Sequence, residues 1–563
     1  MDTQPAKSAA RLYFTTAATS AAAALAFIVD AIHLRPGELS SKQIWFGVLL
    51  VVVALYTHLS LRAEHLYYVN MAKHGCAPPK RIRNDPMGVR YLLSTASAAR
   101  QNVLLERRSE LLHKMGHTYR NQMFPEWTMT ISTDEPENIK AVLATRFDDW
   151  DIPYFRIQGF YPVLGYHSIF TVNGAEWQHA RAMLRPAFVR NQLADLGRFD
   201  FHARKLLAKL PQDPSSKVDL QDLFSMLMVD TTSDFMFGQS TDLLGAADAD
   251  SLTFVKHFDA SMHKIAWRAR LSWLTQLRPD RELDEYVRFM RSYIARFVAK
   301  VKAQRASLAA DEAKAAAGGD RYVFLDQLID TGEPDEVIRD QLLSIFVAGR
   351  DTTTSVLTYL FFELSRRPDV ERRLRDEIAA LGAENPSWEQ LKGMNYLQMA
   401  IKEALRLNPP VALNSREAVR DTVLPRGGGP DGKQPVFVPK GTNVRYQPWC
   451  MQRRTDLYGE DAEEFRPERW ETIRPTYVLL RCGWSELSTD MLTRLLSYEY
   501  VPFNAGPRIC IGQQFALTAV AMTTFRILQA YKQIKRRDDK PLVQKLGVNL
   551  SMVHGCWVSM TPA

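Results

Sequence analysis

A single cysteine, Cys510, lies in a short turn with glycines nearby on both sides, at Gly506 and Gly512. Glycine lets a backbone bend sharply and approach a flat object closely, because it has no Cβ and tolerates positive φ. Arg508 places a fixed positive charge two residues before the thiol, which favours the thiolate. A thiolate in such a loop is a suitable ligand for a soft metal centre. Taken alone, however, a cysteine between glycines is more often a buried structural thiol.

Residues 503–512 as a whole decide between these two interpretations. They follow the spacing Phe-x-x-Gly-x-Arg-x-Cys-x-Gly, which resembles the haem-binding loop of the cytochromes P450. The resemblance implies haem b (iron protoporphyrin IX) as the cofactor and Cys510 as the axial ligand of its iron, with Phe503, Arg508 and Gly512 shaping the loop. It also implies the P450 fold, which is mainly α-helical with a smaller β region, and a monooxygenase that uses O2.

A second centre lies in the middle of a helix predicted from about residue 334 to residue 367. A glycine inside a helix costs about 1 kcal/mol relative to alanine, so Gly349 beside Ala348 suggests a notch with room for a flat cofactor. Thr352 can hydrogen-bond within its own helix and admit water, and the adjacent Asp351 offers a proton route from solvent. The segment resembles the P450 distal helix, which implies that Asp351 and Thr352 are catalytic residues that deliver protons.

Two further positions are candidate contacts for the haem propionates. Trp177 and Arg181 are four residues apart and share one helix face. An indole N–H and a guanidinium are both donors and suit a carboxylate. By resemblance they hold one propionate, and Arg416 holds the other. Without the cysteine turn, a core tryptophan and a solvent-facing arginine would explain the pair equally well. His167, just upstream, is bulkier than the family pattern and has no assigned role.

A charge cluster is predicted to support the cysteine turn. Glu403 and Arg406 are three apart and can pair on one helix face. Residues 465–470 resemble the family's Pro-Glu-Arg segment, so Arg469 is expected to complete a Glu–Arg–Arg cluster. Losing one member would leave an unpaired buried charge. These three residues are therefore interpreted as structural supports and not as catalysts.

The substrate class follows from a closer resemblance. Residues 424–430 and 465–470 look most like fungal P450s that hydroxylate n-alkanes and fatty acids, with the terminal (ω) carbon as one candidate position. Two alternatives stay open: a P450 that oxidises another lipophile in secondary metabolism, and a haem protein without oxygenase activity. Candidate pocket walls, each of which could equally be core, are Ile345, Val411, Leu413 and Leu550.

The amino-terminal region has the pattern of a membrane anchor. Residues 44–61 form an uncharged apolar run that, at ~1.5 Å per residue, can cross a hydrocarbon core as a helix. Residues 12–32 form a weaker second span or an interfacial helix. The basic flank after residue 61 predicts a cytosolic catalytic domain. The expected domains are an anchor of one or two spans at 1–62, a proline-rich basic linker at 63–90 and the catalytic domain at 91–563, located at the endoplasmic reticulum membrane.

Composition limits the partners. The chain has 563 residues, 46% hydrophobic and 24% charged, with five scattered cysteines that argue against a disulfide framework. Its net charge of +8 accompanies no nucleic-acid-binding motif, so no nucleic-acid partner is expected. Because no flavin or nicotinamide domain is recognisable, electrons are expected from a separate NADPH–cytochrome P450 reductase, with cytochrome b5 as a further candidate donor.

Residues 476–497 depart from the family pattern. The family passes from the Pro-Glu-Arg segment to the haem loop by a short connection, whereas this chain inserts an apolar segment. Either the segment is an insertion packed on the surface, or the gene model retains an intron. The second interpretation is preferred.

Overall fold

The computed structural model describes residues 41–82, 89–122, 129–188, 196–271, 279–311, 323–473 and 498–563. The weaker candidate span or interfacial helix at residues 12–32 and the unusual segment at 476–497 lie outside the described residues.

The described chain is mainly helical, as the resemblance implied. In chain order the helices are α1 Ser41–Lys73, α2 Val89–Arg100, α3 Leu104–Met115, α4 Pro136–Lys140, α5 Tyr154–Leu164, α6 Gly174–Leu184, α7 Gly197–Lys209, α8 Leu220–Phe237, α9 Ala249–Leu271, α10 Arg281–Asp311, α11 Phe324–Asp330, α12 Asp335–Leu364, α13 Pro368–Leu381, α14 Trp388–Gly393, α15 Asn395–Leu407, α16 Pro448–Met451, α17 Thr455–Tyr458, α18 Arg469–Thr472 and α19 Gln513–Ala530.

The strands are short and form a smaller β region. They are β1 Lys80–Arg81, β2 Thr118–Gln122, β3 Met129–Thr133, β4 Trp150–Asp151, β5 Val218–Asp219, β6 Asn414–Ala418, β7 Thr422–Gly428, β8 Gln434–Val438, β9 Asn443–Tyr446, β10 Tyr531–Arg536, β11 Gln544–Leu546, β12 Leu550–Met552 and β13 Trp557–Pro562. The largest sheet has the order β1-β2-β3-β9-β6-β4, and β10-β13-β5 form a three-stranded sheet. The pairs β7-β8 and β11-β12 are antiparallel hairpins.

Helix α12 is the centre of the helical region. Pro334 precedes it, and Asp335 and Glu336 in its first turn complement the positive end of the helix dipole. It ends at Leu364, three residues before the predicted end, and Pro368 opens the next helix. Helices α8, α10, α15 and α19 pack around it. Because neighbours surround it, α12 carries apolar residues on most of its circumference.

Helix α1 changes the predicted linker. It contains the apolar run at 44–61 and continues through the first part of the linker, to Lys73. Tyr67, only 3% exposed, packs with Met71 and with Phe437 of β8. Glu64 accepts a hydrogen bond from Arg120 at 2.7 Å. Residues 63–73 of the predicted linker are thus helical, because the prolines that stop a helix come only at positions 78 and 79.

The predicted membrane anchor requires a helix that is both long enough and apolar enough to cross a membrane. Among the residues that the structure describes, no helix meets both requirements.

Candidate active site

The cysteine turn connects a 3₁₀ segment, Gly506–Arg508, to helix α19. The Cys510 N–H donates to the Phe503 carbonyl oxygen at 2.9 Å, which closes the turn. Gly506 has φ +66°, and a Cβ there would collide with the Leu143 carbonyl oxygen. Glycine at this position is therefore required both by the backbone conformation and by the close approach of a neighbouring segment.

The thiol of Cys510 has two opposing influences on its ionisation. Burial among surrounding atoms raises its pKa, whereas the Gly512 N–H and the charge of Arg181 lower it. The side chain is nevertheless accessible to solvent. An accessible group that is also surrounded by protein atoms lies in a recess. Since it precedes the amino end of the 18-residue helix α19, its thiolate is further favoured by the helix dipole. This donor set fits a thiolate ligand of haem.

Helix α6 brings the predicted propionate contacts to the same turn. The Arg181 Nη1 donates to the carbonyl oxygen of Ile509 at 2.9 Å. The guanidinium of Arg508 lies over the ring of Trp177, with its Cζ 4.3 Å from the ring centroid. Arg508 also donates to Asn173 Oδ1 at 3.0 Å. The structure thus brings Trp177, Arg181 and Arg508 together beside Cys510, and the solvent-facing alternative for Arg181 does not describe it.

Four arginines concentrate positive charge at this place. Burial, together with Arg416 and Arg156, lowers the pKa of Arg508 to about 9. Burial and Arg416 lower the pKa of Arg156 to about 10. Arg181 adds to the repulsion on Arg508, and Asp151 is the acid that opposes it. Cations held this close repel one another, and anions bound between them would relieve that repulsion. The two propionate carboxylates of a haem would supply the negative charge.

Arg156 is a candidate that sequence reasoning missed. It lies in the first turn of α5 and donates to Asn414 Oδ1 at 3.0 Å. Arg416, on β6, is 3% exposed and donates to the Ser415 carbonyl oxygen at 2.8 Å. The signal for Arg156 was a cation in an otherwise apolar helix, but its neighbours come from residues about 260 positions later in the chain.

The Asp-Thr pair lies half-buried in the middle of α12. Thr352 Oγ1 donates to the Ala348 carbonyl oxygen at 2.6 Å, which is the local hydrogen bond expected from the sequence. The pKa of Asp351 is raised by burial, and the charge of Arg350 opposes that rise. A carboxyl group with a raised pKa beside a hydroxyl can hold a proton and pass it on.

Gly349 lies at a contact between helices α8 and α12. A Cβ at this position would lie 3.1 Å from Thr232 Oγ1 and 3.2 Å from Thr232 Cγ2, on helix α8. The glycine therefore permits close packing of α8 against α12. That its small size also makes room for the cofactor stays a prediction.

The Glu–Arg–Arg cluster is assembled as the sequence suggested. Glu403 and Arg406 are fully buried, and Arg406 donates to Glu403 through Nε at 2.9 Å and Nη2 at 2.8 Å. Arg469 Nε reaches Glu403 at 3.3 Å. Two partners were missed, since Trp470 donates to Glu403 at 3.0 Å and Asp461 accepts from Arg469 at 2.8 Å.

Gln452 links this cluster to the cysteine turn. Arg406 Nη1 donates to the Gln452 carbonyl oxygen at 2.7 Å, and Gln452 Oε1 accepts from the Val501 N–H at 2.9 Å. Val501 lies two residues before Phe503, where the turn begins. The cluster therefore fixes the chain that enters the turn.

The predicted pocket residues separate into two groups. Ile345 and Leu550 are buried within the main apolar core, at 6% and 1% exposure. Val411 is 36% exposed and Leu413 is half-buried. The Leu550 N–H donates to the Pro410 carbonyl oxygen at 2.9 Å, which brings the 410–413 segment beside β12.

His167 has a structural position. Its backbone N–H donates to Asp340 Oδ2 at 3.3 Å, and its carbonyl oxygen accepts from Gln341. The turn around His167 is thereby tied to α12 by its backbone, so the bulk of the imidazole is tolerated.

The cysteine turn, the arginine cluster and the buried helix with its Asp-Thr pair define a haem-thiolate protein. The family model described as Cytochrome P450 matches residues 88–553. The chain belongs to the cytochrome P450 family, with haem as its cofactor and monooxygenase as its enzyme class.

Curated relatives cover most of the chain. Cytochrome P450 monooxygenase FPY7 of Fusarium mangiferae is 38% identical over 86% of this chain and 90% of its own length. Cytochrome P450 monooxygenase himC of Aspergillus japonicus is 38% identical over 92% of this chain and 89% of its own. Cytochrome P450 52A3-B of Candida maltosa is 36% identical over 91% of this chain and 95% of its own.

Proposed function

We propose that the protein hydroxylates a long-chain n-alkane or fatty acid. The observation that carries the chemistry is the position of Cys510, an accessible thiol in a recess at the amino end of α19 beside a cluster of arginines. The substrate class is supported by the resemblance of residues 424–430 and 465–470 to fungal n-alkane and fatty-acid hydroxylases, and by the similarity to the Candida protein.

When haem is bound, it supplies oxygen activation and the oxidation of an unreactive C–H bond. The residues of this chain then have separate tasks. Cys510 would ligate the iron, and Trp177, Arg181, Arg416 and Arg508 would hold the propionates. Burial raises the pKa of Asp351, which favours a proton on its carboxyl group. Thr352 Oγ1, which donates to the Ala348 carbonyl oxygen, retains lone pairs that can accept a hydrogen bond from water.

The proposed cellular setting is the endoplasmic reticulum membrane with the catalytic domain in the cytosol. It is supported by the apolar run at 44–61, which lies within α1, and by the basic residues that follow. Electrons would come from NADPH through a separate P450 reductase, with cytochrome b5 as a further donor. The substrate would enter from the lipid, which suits a long-chain lipophile.

A substrate titration tests this proposal. The purified holoprotein is titrated with n-alkanes, fatty acids and bulky polycyclic compounds while the spin-state band of its haem is recorded. Reconstitution with NADPH and P450 reductase then identifies the products. We expect alkanes or fatty acids to shift the band and to be hydroxylated. A response to the polycyclic compounds alone would overturn the substrate class.

A second candidate is the oxidation of another lipophile in secondary metabolism. It is supported by the relatives from Fusarium and Aspergillus, which at 38% are as similar to the chain as the Candida protein at 36%. The same titration separates the two candidates, because each predicts a different compound class that binds and turns over.

A further inference from the structure

Arg350 connects the proton-carrying part of α12 to two other helices. Its side chain is 7% exposed. Nη1 is paired with Asp259 on α9, and Nη2 donates to Ser225 Oγ on α8 at 2.9 Å. Its Cζ also lies 5.3 Å from the centroid of the Phe258 ring. The outer face of the guanidinium is therefore engaged by α8 and α9.

Only the inner nitrogen of Arg350 is left for Asp351. Nε lies 3.5 Å from Asp351 Oδ1, too far and too poorly aligned for a full hydrogen bond. Within the part of the chain that the structure describes, this buried Nε has no hydrogen-bond partner. Arginine normally binds a carboxylate through two parallel hydrogen bonds. Asp259 and Ser225 prevent that arrangement with Asp351.

The contact between α9 and α12 keeps this arrangement in place. Phe258 and Phe254 on α9 both pack against Phe346 on α12. Their ring centroids lie 4.9 Å and 5.0 Å, respectively, from the ring centroid of Phe346. The side chain of Asp259 itself is 54% exposed. The anion that holds Arg350 is thus at the protein surface, whereas the side chain of Asp351 is half-buried, at 28% exposure.

We propose that Asp259, acting through Arg350, is a positioning residue for Asp351: it holds the guanidinium outward and leaves the Asp351 carboxyl group available for proton transfer. The charged groups that face Asp351 are Arg350 on its own helix and Asp259 on α9, while α8 contributes the neutral Ser225. Their signs agree with the geometry, since Arg350 lowers the pKa of Asp351 and Asp259 raises it. This inference rests on the proposed monooxygenase role of Asp351.

Replacing Asp259 releases Arg350. In Asp259→Asn the guanidinium can turn inward and form two hydrogen bonds with Asp351, which lowers the pKa of that carboxyl group. In the reconstituted holoenzyme we expect a fall of about fivefold or more in product formed per NADPH, a matching rise in hydrogen peroxide, and a downward shift of the alkaline limb of the pH profile, because Asp351 must be protonated to donate. Asp259→Glu retains the charge and should restore all three.

Asp250→Asn is the matched control. Asp250 is also on α9, is 49% exposed and pairs with an arginine, Arg296, at 2.6 Å. Its ion pair is with Arg296 and not with Arg350, so its loss removes one surface ion pair from the same helix. We expect product yield and the pH profile to be unchanged in this variant.

A second readout does not depend on turnover. Unfolding in urea is measured for wild type, Asp259→Asn, Asp351→Asn and the double variant. Because the released Arg350 pairs more closely with Asp351, the Asp351→Asn change should lower the urea midpoint more in the Asp259→Asn background than in wild type. Equal effects in the two backgrounds would overturn the inference.

The two proposals fail in different ways. If wild-type protein hydroxylates none of the compounds tested, the proposed substrate class is wrong, and the unfolding cycle still decides whether Asp259 controls the Arg350–Asp351 contact. If wild type hydroxylates its substrate and the cycle is additive, the positioning role is wrong and the proposed function stands.

Discussion

The guanidinium of Arg508 lies over the ring of Trp177, with 4.3 Å between its carbon and the ring centroid. The same arginine donates to Asn173, the residue before α6. Arg181, one turn after Trp177 on α6, donates to the carbonyl oxygen of Ile509, the residue before Cys510. Helix α6 and the cysteine turn are thus joined at several points. Cys510 and the proposed propionate contacts are therefore held next to one another by direct contacts.

Replacing Cys510 tests the unit at its centre. Cys510→Ser should abolish the absorbance band of sulfur-ligated haem in the reduced, carbon-monoxide-treated protein and reduce hydroxylation to background, because an alcohol is a poor substitute for a thiolate ligand. Cys76→Ser, a partly buried cysteine elsewhere, is the control and should leave the band intact. An unchanged band in Cys510→Ser would disprove the ligand assignment.

Replacing Arg156 tests the role that only the structure suggested. Arg156→Gln should weaken haem binding by roughly 10- to 100-fold, since a hydrogen bond to a charged group contributes about 1.5–3 kcal/mol. Haem transfer to apomyoglobin measures the loss rate. The exposed Arg204, which pairs with Asp200 on α7, provides the control through Arg204→Gln. Equal rates for Arg156→Gln and wild type would remove Arg156 from the anion site.

Neutralising Glu403 should destabilise the whole fold. Glu403→Gln leaves Arg406 and Arg469 buried without their shared carboxylate. A broken buried ion pair costs about 3–5 kcal/mol, which urea unfolding can measure. Glu463, which pairs with Arg453, has a side chain that is 72% exposed. We expect Glu463→Gln to lower the free energy of unfolding by less than about 1 kcal/mol. Similar losses in the two variants would contradict a structural role for the cluster.

Gly349 offers a test of helix packing against cofactor space. Gly349→Ala should destabilise the protein by about 1–3 kcal/mol, because the new methyl group crowds Thr232. In a Thr232→Ala background the methyl group has room, and the better helix propensity of alanine should make the change stabilising. Thermal unfolding of the four proteins measures this. Failure of Thr232→Ala to rescue the variant, together with lost haem, would favour the cofactor notch instead.

His117 predicts a pH dependence of stability. Its Nδ1 lies 3.0 Å from Asp134, whose side chain is 1% exposed, and the hydrogen bond to that carboxylate raises the pKa of His117 above its ordinary 6.5. The charged pair stabilises the fold fully below pH 6.5, and the contribution is lost as the pH rises through the higher folded value.

The variant His117→Gln reveals this contribution. Its deficit in unfolding free energy relative to wild type should be largest in mild acid and shrink as the solution becomes alkaline. His113→Gln is the control, since the Nδ1 of His113 contacts the Ser109 backbone oxygen instead of a carboxylate. A His117→Gln deficit that stays constant, or grows with pH, would refute the assignment.

The residues of the candidate site that the sequence could indicate lie in short local patterns. Cys510 with its glycines, Thr352 beside Asp351, and Glu403 three residues from Arg406 each depend on spacings of a few residues. Their partners Arg156, Thr232 and Gln452 come from distant parts of the chain. No spacing in a single sequence specifies such contacts, because they depend on how whole helices and strands pack.

The predicted linker at 63–90 contains two kinds of local structure. The consecutive prolines at 78 and 79 favour extended chain, whereas residues 63–73 are helical. Those residues have no proline, and the burial of Tyr67 against Phe437 keeps them helical. Tertiary packing, rather than local preference, determined where the helix ends.

Helix α1 also fixes the orientation of its amino-terminal part relative to the β region. It is one uninterrupted rod of 33 residues whose last turns are clamped to the β region through Glu64, Tyr67 and Met71. Because the helix is continuous up to these contacts, its axis has a fixed direction relative to the β region. The orientation of the first turns of α1 therefore sets the orientation of the β region that its last turns contact.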